Sequence, residues 1–151
     1  MNKEELKNVL SGYSSNIQFD ETTEPLSAIV PAAEFFGLMQ FLRKDAQSNF
    51  DFLNFMTCVD WKDHFMLVYF LHSTTYRHDV MIKVKLENRD EAEIETVCNI
   101  WRTAEFHERE VFDLFGVKFT HHPDLRRIFL DDAWEGHPLR KDYTDENMIE
   151  L

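Results

Sequence analysis

Long apolar runs, paired cysteines and clustered glycines are what this 151-residue sequence lacks. Its longest uninterrupted apolar stretch, Phe65 to Leu71, is the length of a strand and far short of a bilayer span. The two cysteines, Cys58 and Cys98, form no CxxC pair, whereas iron–sulfur clusters and structural zinc usually need four close-set ligands. Both lie among apolar neighbours and read as small core residues in a reducing compartment. Four scattered glycines leave no G-x-G-x-x-G, Walker or G-x-S-x-G arrangement, so no nucleotide cradle or nucleophile elbow is indicated. Basic residues are also scarce: 16 Lys and Arg against 28 Asp and Glu give a formal charge of −12. That sign disfavours nucleic acid and anionic lipid as partners. The first residues, Met1 to Val9, resemble neither a secretion signal nor a transit peptide, so the protein is expected to work in the compartment that makes it.

Aromatic residues are abundant, with 14 Phe and a hydrophobic fraction of 44%. That suffices for one core of ordinary size and argues against disorder. Periodicity then divides the chain. Glu4 to Leu10 reads as a short amphipathic helix ending near Gly12, and Leu26 to Val30 as a strand. Pro31 opens a second helix at its first position, with Phe35, Leu38, Met39 and Leu42 at helical spacing. Phe52 to Val59, Phe65 to Leu71 and Asp79 to Leu86 form a candidate antiparallel meander. In the third of these, Val80, Ile82, Val84 and Leu86 alternate with Met81, Lys83 and Lys85, which implies one buried and one wet face. A helix is expected from Asn88–Asp90 through Ile94, Val97 and Trp101, and another from an N-cap at Thr103 to Phe115, closed by Gly116. Val117 to Thr120 is a short strand candidate. The fold class is therefore α+β: one domain over residues 1–120 with a mostly antiparallel sheet packed by helices, and an irregular extended arm over 121–151.

Within the last helix, Glu108 falls on the apolar face of Ala104, Val111 and Phe115. A buried carboxylate needs a partner, and Arg126 or Arg127 is available after the Gly116 turn. Such a pair would set the direction in which the arm leaves. Arg109 lies one turn from Glu105 and Asp113, which suits surface ion pairs, and Glu110 faces outward. The arm carries His122-Pro123-Asp124 before Arg126-Arg127, and Gly136-His137-Pro138 before Arg140-Lys141-Asp142. Each proline restrains the histidine before it, and an arginine fork can hold a carboxylate. The arm could lie along a partner or cover its own domain. The histidines His121, His122 and His137, with Asp124 or Glu108, also allow a metal site to be considered, although no H-E-x-x-H pattern is present.

The run from Ala104 to Phe119, AEFHEREVFDLFGVKF, resembles the signature block of the C-subunit (30 kDa subunit) family of respiratory NADH:quinone oxidoreductase, complex I. The runs His122 to Ile128 and Trp134 to Tyr143 follow in the family's order, and Cys58-Val59-Asp60 resembles its middle sheet more loosely. His121 stands where the family commonly has glycine. The resemblance implies a subunit that is not catalytic by itself and carries no cofactor, in a complex that holds FMN and iron–sulfur clusters elsewhere. It implies peripheral-arm partners, chiefly the quinone-site D subunit and the cluster-bearing B and I subunits, at the cytoplasmic face of a bacterial inner membrane. Its motifs point to Glu108, Arg109, Glu110, Asp113, His122, Pro123, Asp124, Arg126, Arg127, Gly136, His137, Pro138, Arg140, Lys141 and Asp142 as arm-anchoring or partner-binding residues. Two alternatives are an equivalent subunit of a membrane-bound hydrogenase or ferredoxin-driven relative, and a free-standing metal-dependent enzyme using the arm histidines.

Overall fold

A computed structural model describes residues 2–145. The first helix, α1 (Lys3–Tyr13), begins in a reciprocal cap: Asn2 accepts from the Glu5 N–H at 2.9 Å while the Glu5 carboxylate accepts from the Asn2 N–H. It buries Leu6 and Leu10 and runs past Gly12, because one exposed glycine costs only about 1 kcal/mol. A three-residue strand, β1 (Gln18–Asp20), follows; its single Phe gives no pattern to read, and it exists through antiparallel pairing with β2 (Ser27–Val30). Pro31 precedes α2 (Ala32–Lys44) as its N-cap, one position earlier than expected, with ψ of 139°. The apolar residues Phe35, Leu38, Met39 and Leu42 are buried as their spacing requires.

The meander forms as read. The strands β3 (Phe52–Asp60), β4 (Phe65–His72) and β5 (Asp79–Leu86) pair antiparallel in sequence order. Strand β2 joins the far side of β5 in parallel, giving a five-stranded mixed sheet of order β1-β2-β5-β4-β3. Val80, Ile82, Val84 and Leu86 face a single core shared with α1 and α2.

The segment after β5 corrects the sequence reading. Residues 88–101 hold no helix; they hold β6 (Glu93–Glu95) and a series of turns. Ile94, Val97 and Trp101 are buried, so the apolar positions were right and the period was not. Ile94 pairs with Phe119 in a separate two-stranded parallel sheet, and the Trp101 indole N–H donates to the Phe50 carbonyl at 3.0 Å. These long-range partners outweigh a weak local helical preference. Between β6 and its partner β7 (Lys118–Thr120) lies α3 (Ala104–Phe115), the crossover that a parallel pair needs. Gly116 ends α3 in the left-handed region at φ 81°, whereas Thr103 makes no side-chain cap: its hydroxyl donates to the Leu53 carbonyl instead. From His121 to Asp145 no residue lies in a helix or strand, and His121 itself adopts φ 65°, a conformation that suits glycine. The end of the acidic run, residues 146–151, lies outside the described residues.

Candidate functional site at the last helix and the arm

Three faces of α3 do three different jobs. Ala104, Glu108 and Val111 turn into the domain. Glu108 is 0% exposed, yet no arginine reaches it, which corrects the expected pair. Its two oxygens accept from the Thr96 hydroxyl at 2.7 Å, and one accepts from the Val97 N–H at 3.0 Å. Arg126 instead pairs with Asp124 at the surface, and Arg127 with Asp113. Burial without a cation pushes the Glu108 carboxyl up to about 7, against the Thr96 and Val97 hydrogen bonds that favour its charged form. The sequence could not show this partner, since Thr96 lies in the segment whose period misleads.

The second face holds the arm. Arg109 is buried rather than superficial: its guanidinium donates to the carbonyls of Arg126 and Arg127 at 3.1 and 3.2 Å. One turn on, Asp113 is fully buried and receives four donors. Arg127 gives one at 3.2 Å, and the N–H groups of Ile128, Phe129 and Leu130 give the others at 3.2, 2.8 and 3.2 Å. The same Arg127 donates to the Gly136 carbonyl, tying two turns of the arm together. His122 donates from Nε2 to the Glu105 carbonyl and accepts the Asp124 N–H on Nδ1; His137 donates from Nδ1 to the Asp113 carbonyl at 2.9 Å. His121 lies against Glu95 instead. The arm histidines are thus engaged separately, and among the described residues no group of three or more His, Cys, Asp or Glu could hold a metal ion. Pro123 and Pro138 follow two of these histidines and fix the backbone that presents them.

A second anchor lies at the β3–β4 end of the sheet. Buried Asp60 accepts from Arg89 at 2.6 Å and from the Lys141 N–H at 2.8 Å. Arg140 donates to the Arg89 carbonyl and grips Asp142 through two bonds of 2.9 and 3.0 Å. Both guanidinium groups lie over the Phe65 ring, at 5.1 and 5.2 Å from its centroid. Asp60 and Arg89 were missed as site residues. A signal existed for one of them: Asp60 occupies the buried parity of β3 shared by Met56 and Cys58, where a charge needs a reason. Glu110 is exposed on the third, outer face of α3, beside the exposed Phe106. Along the arm Ile128, Phe129, Trp134 and Leu139 are exposed, Phe129 to 65%.

A model of the family described as "Respiratory-chain NADH dehydrogenase, 30 Kd subunit" matches residues 28–147. The chain belongs to that family.

The match takes in both anchors and the arm as far as residue 147, and leaves out α1 and β1. Among relatives of this 30 kDa subunit, the C subunit of the NADH-quinone oxidoreductase of Geotalea uraniireducens is 41% identical over 133 residues, covering 86% of this chain and 79% of the relative. The C/D subunit of the NADH-quinone oxidoreductase of Phocaeicola vulgatus is 42% identical over 123 residues, covering 81% of this chain; the match spans only 23% of that longer protein. A solved chain in the membrane-bound sulfane sulfur reductase, an archaeal respiratory membrane complex, has the same fold: TM-score 0.77 at 30% identity, covering 93% of this chain and 85% of that one. The 30 kDa family member described here is thus a subunit type found in respiratory oxidoreductase complexes. Among the described residues no helix is long and apolar enough to cross a membrane.

Proposed function

We propose that this chain is a non-catalytic scaffold subunit in the peripheral arm of a proton-translocating NADH:quinone oxidoreductase, and that residues 121–151 act as its docking arm against a domain of residues 1–120. The observation that carries this reading is the way the arm is held. Buried Asp113 and Asp60 fix its backbone, yet Ile128, Phe129, Trp134 and Leu139 remain outside. A segment that only covered its own domain would turn such side chains inward; aromatic groups held outward on a fixed backbone suit a partner's pocket. The quinone-site D subunit is the chief partner in this reading, supported by relatives in which C and D are named as one chain. The cluster-bearing B and I subunits are further partners, and FMN and the clusters belong to other subunits. The complex would lie at the cytoplasmic face of a bacterial inner membrane.

A second reading has one observation in its favour. The likeness to a chain of the sulfane sulfur reductase shows the same fold in another respiratory membrane complex, so a hydrogenase-like or ferredoxin-driven parent is the alternative. Affinity purification of the tagged chain from its native membranes distinguishes them. Co-purification with a flavin-bearing NADH module and the quinone-site subunit is expected. A nickel-site large subunit in their place supports the second reading, and recovery of the chain alone overturns both. The purified chain by itself is expected to be colourless and to oxidise no NADH; a flavin or cluster absorption spectrum from it contradicts the scaffold role.

A further inference from the structure

The five-stranded sheet ends on β3, which pairs with β4 on one side and, among the described residues, with no strand on the other. An edge strand presents a row of backbone N–H and C=O groups, and folded proteins normally guard it with lysine, proline, an inward charge or a cover. Strand β3 has nine residues and contains neither lysine nor proline. Its one charged residue, Asp60, is at the far end and already engaged by Arg89. The Thr103 hydroxyl meets the Leu53 carbonyl near the start, just before the register irregularity between Leu53 and Phe55. From Phe55 to Asp60 the pairing with β4 is regular, and among the described residues no side chain bonds to the backbone of that run.

The side chains point the same way. Leu53, Met56 and Cys58 enter the core, whereas Phe52, Phe55 and Val59 stand exposed on the opposite face. Phe55 stacks on Phe70 of β4 at 5.3 Å. A wet antiparallel sheet face normally carries polar residues here, and of the outward positions only Thr57 is polar between Phe55 and Val59; apolar side chains beside an unpaired edge mark a surface that is covered in use.

We infer that β3 is the attachment point for an extended, apolar β-strand from another subunit, which lengthens the sheet along Phe55–Val59. This rests on the reading of the chain as one subunit of an assembly. A strand fits because it supplies the N–H and C=O groups the edge needs, while a helix spends its own internally. An uncharged segment fits because β3 has no charge from Phe52 to Val59. A second copy of this chain fits poorly, since it would bring a formal charge of −12 against −12.

Hydrogen exchange of the full tagged chain, alone and within the assembly that co-purifies from native membranes, tests this. The outward amides of Phe55–Val59 should exchange at least about tenfold more slowly in the assembly, while those of β5 stay unchanged. A Thr57→Lys/Val59→Lys variant changes only exposed outward positions outside the Phe55–Phe70 stack; it should keep its melting temperature and be captured at least about tenfold more weakly. If the assembly forms and β3 exchanges as in the free chain, or the variant is captured like the parent, the strand addition is wrong while the scaffold reading stands. If nothing co-purifies, both fall. Protection of β3 that grows with the concentration of the chain alone would put a second copy there and overturn the inference.

Discussion

Glu108 is an acid that folding has set against its own charge. Burial raises Tyr69 and Cys98, the Glu108 charge adds to both, and Glu95 repels Glu108 from β6. Because its pKa rises from 4.5 to about 7 on folding, its contribution to stability is complete below about 4.5 and is lost as pH climbs through about 7. The interval corresponds to about 3 kcal/mol. Glu108→Gln keeps the shape and stays neutral, so the variant should melt above the parent at pH 8.5 and close to it at pH 5. A melting-temperature difference that does not change with pH would show that Glu108 is not buried in its uncharged form. Asp113 is held by different partners, with an arginine and three amides turned toward it. Removing its carboxylate in Asp113→Ala should cost about 2–3 kcal/mol, less than a wholly buried pair because water can reach the freed arm. The amides of Ile128–Leu130 should lose their protection in hydrogen exchange; unchanged protection would mean that another contact holds the arm. Of these two residues, only the burial of Glu108 was legible, from its place in an apolar stripe. The four donors on Asp113 come from 14 to 17 residues away, in a segment without periodicity.

At the scale of elements, the parts whose hydrophobic period is fixed by one face were readable. The meander alternates because one side of it lies on the core, and α2 repeats because its stripe is buried. Strands β1 and β6 have three residues each, too few for a period; β1 is made by pairing with the next strand, β2, and β6 by a partner distant in sequence, β7. The turn at Gly116 joins element to arm, and here sequence and structure agree on why glycine is needed. Its φ of 81° is one reason; a Cβ there would also lie 2.7 Å from the His137 ring, which donates to Asp113. Gly116→Ala should therefore destabilise by about 1–3 kcal/mol and release His137 as well. Chemical denaturation with NMR of the His137 ring is the check, and a parent-like stability together with an unshifted ring would show that the turn tolerates a side chain.

The whole molecule is an acidic α+β body with a strap clamped at two buried aspartates, Asp113 under the first half of the arm and Asp60 under the second. The three runs that carry the resemblance to the family coincide with these clamps: helix α3, the Arg126–Arg127 run, and the Arg140–Asp142 run. Much of what identifies the chain in sequence is therefore the chemistry that fixes the arm to the domain, while the groups offered outward are ordinary apolar residues with no pattern to read. The central claim is that this clamped arm is a docking element for the quinone-site subunit. The most direct test is the dissociation constant between that subunit and a Phe129→Ser/Leu139→Ser variant. Both side chains are exposed, so folding should be unaffected and the melting temperature unchanged. The account predicts at least about tenfold weaker binding, about 1.4 kcal/mol or more. Binding as tight as the parent's, with the fold intact, would contradict it.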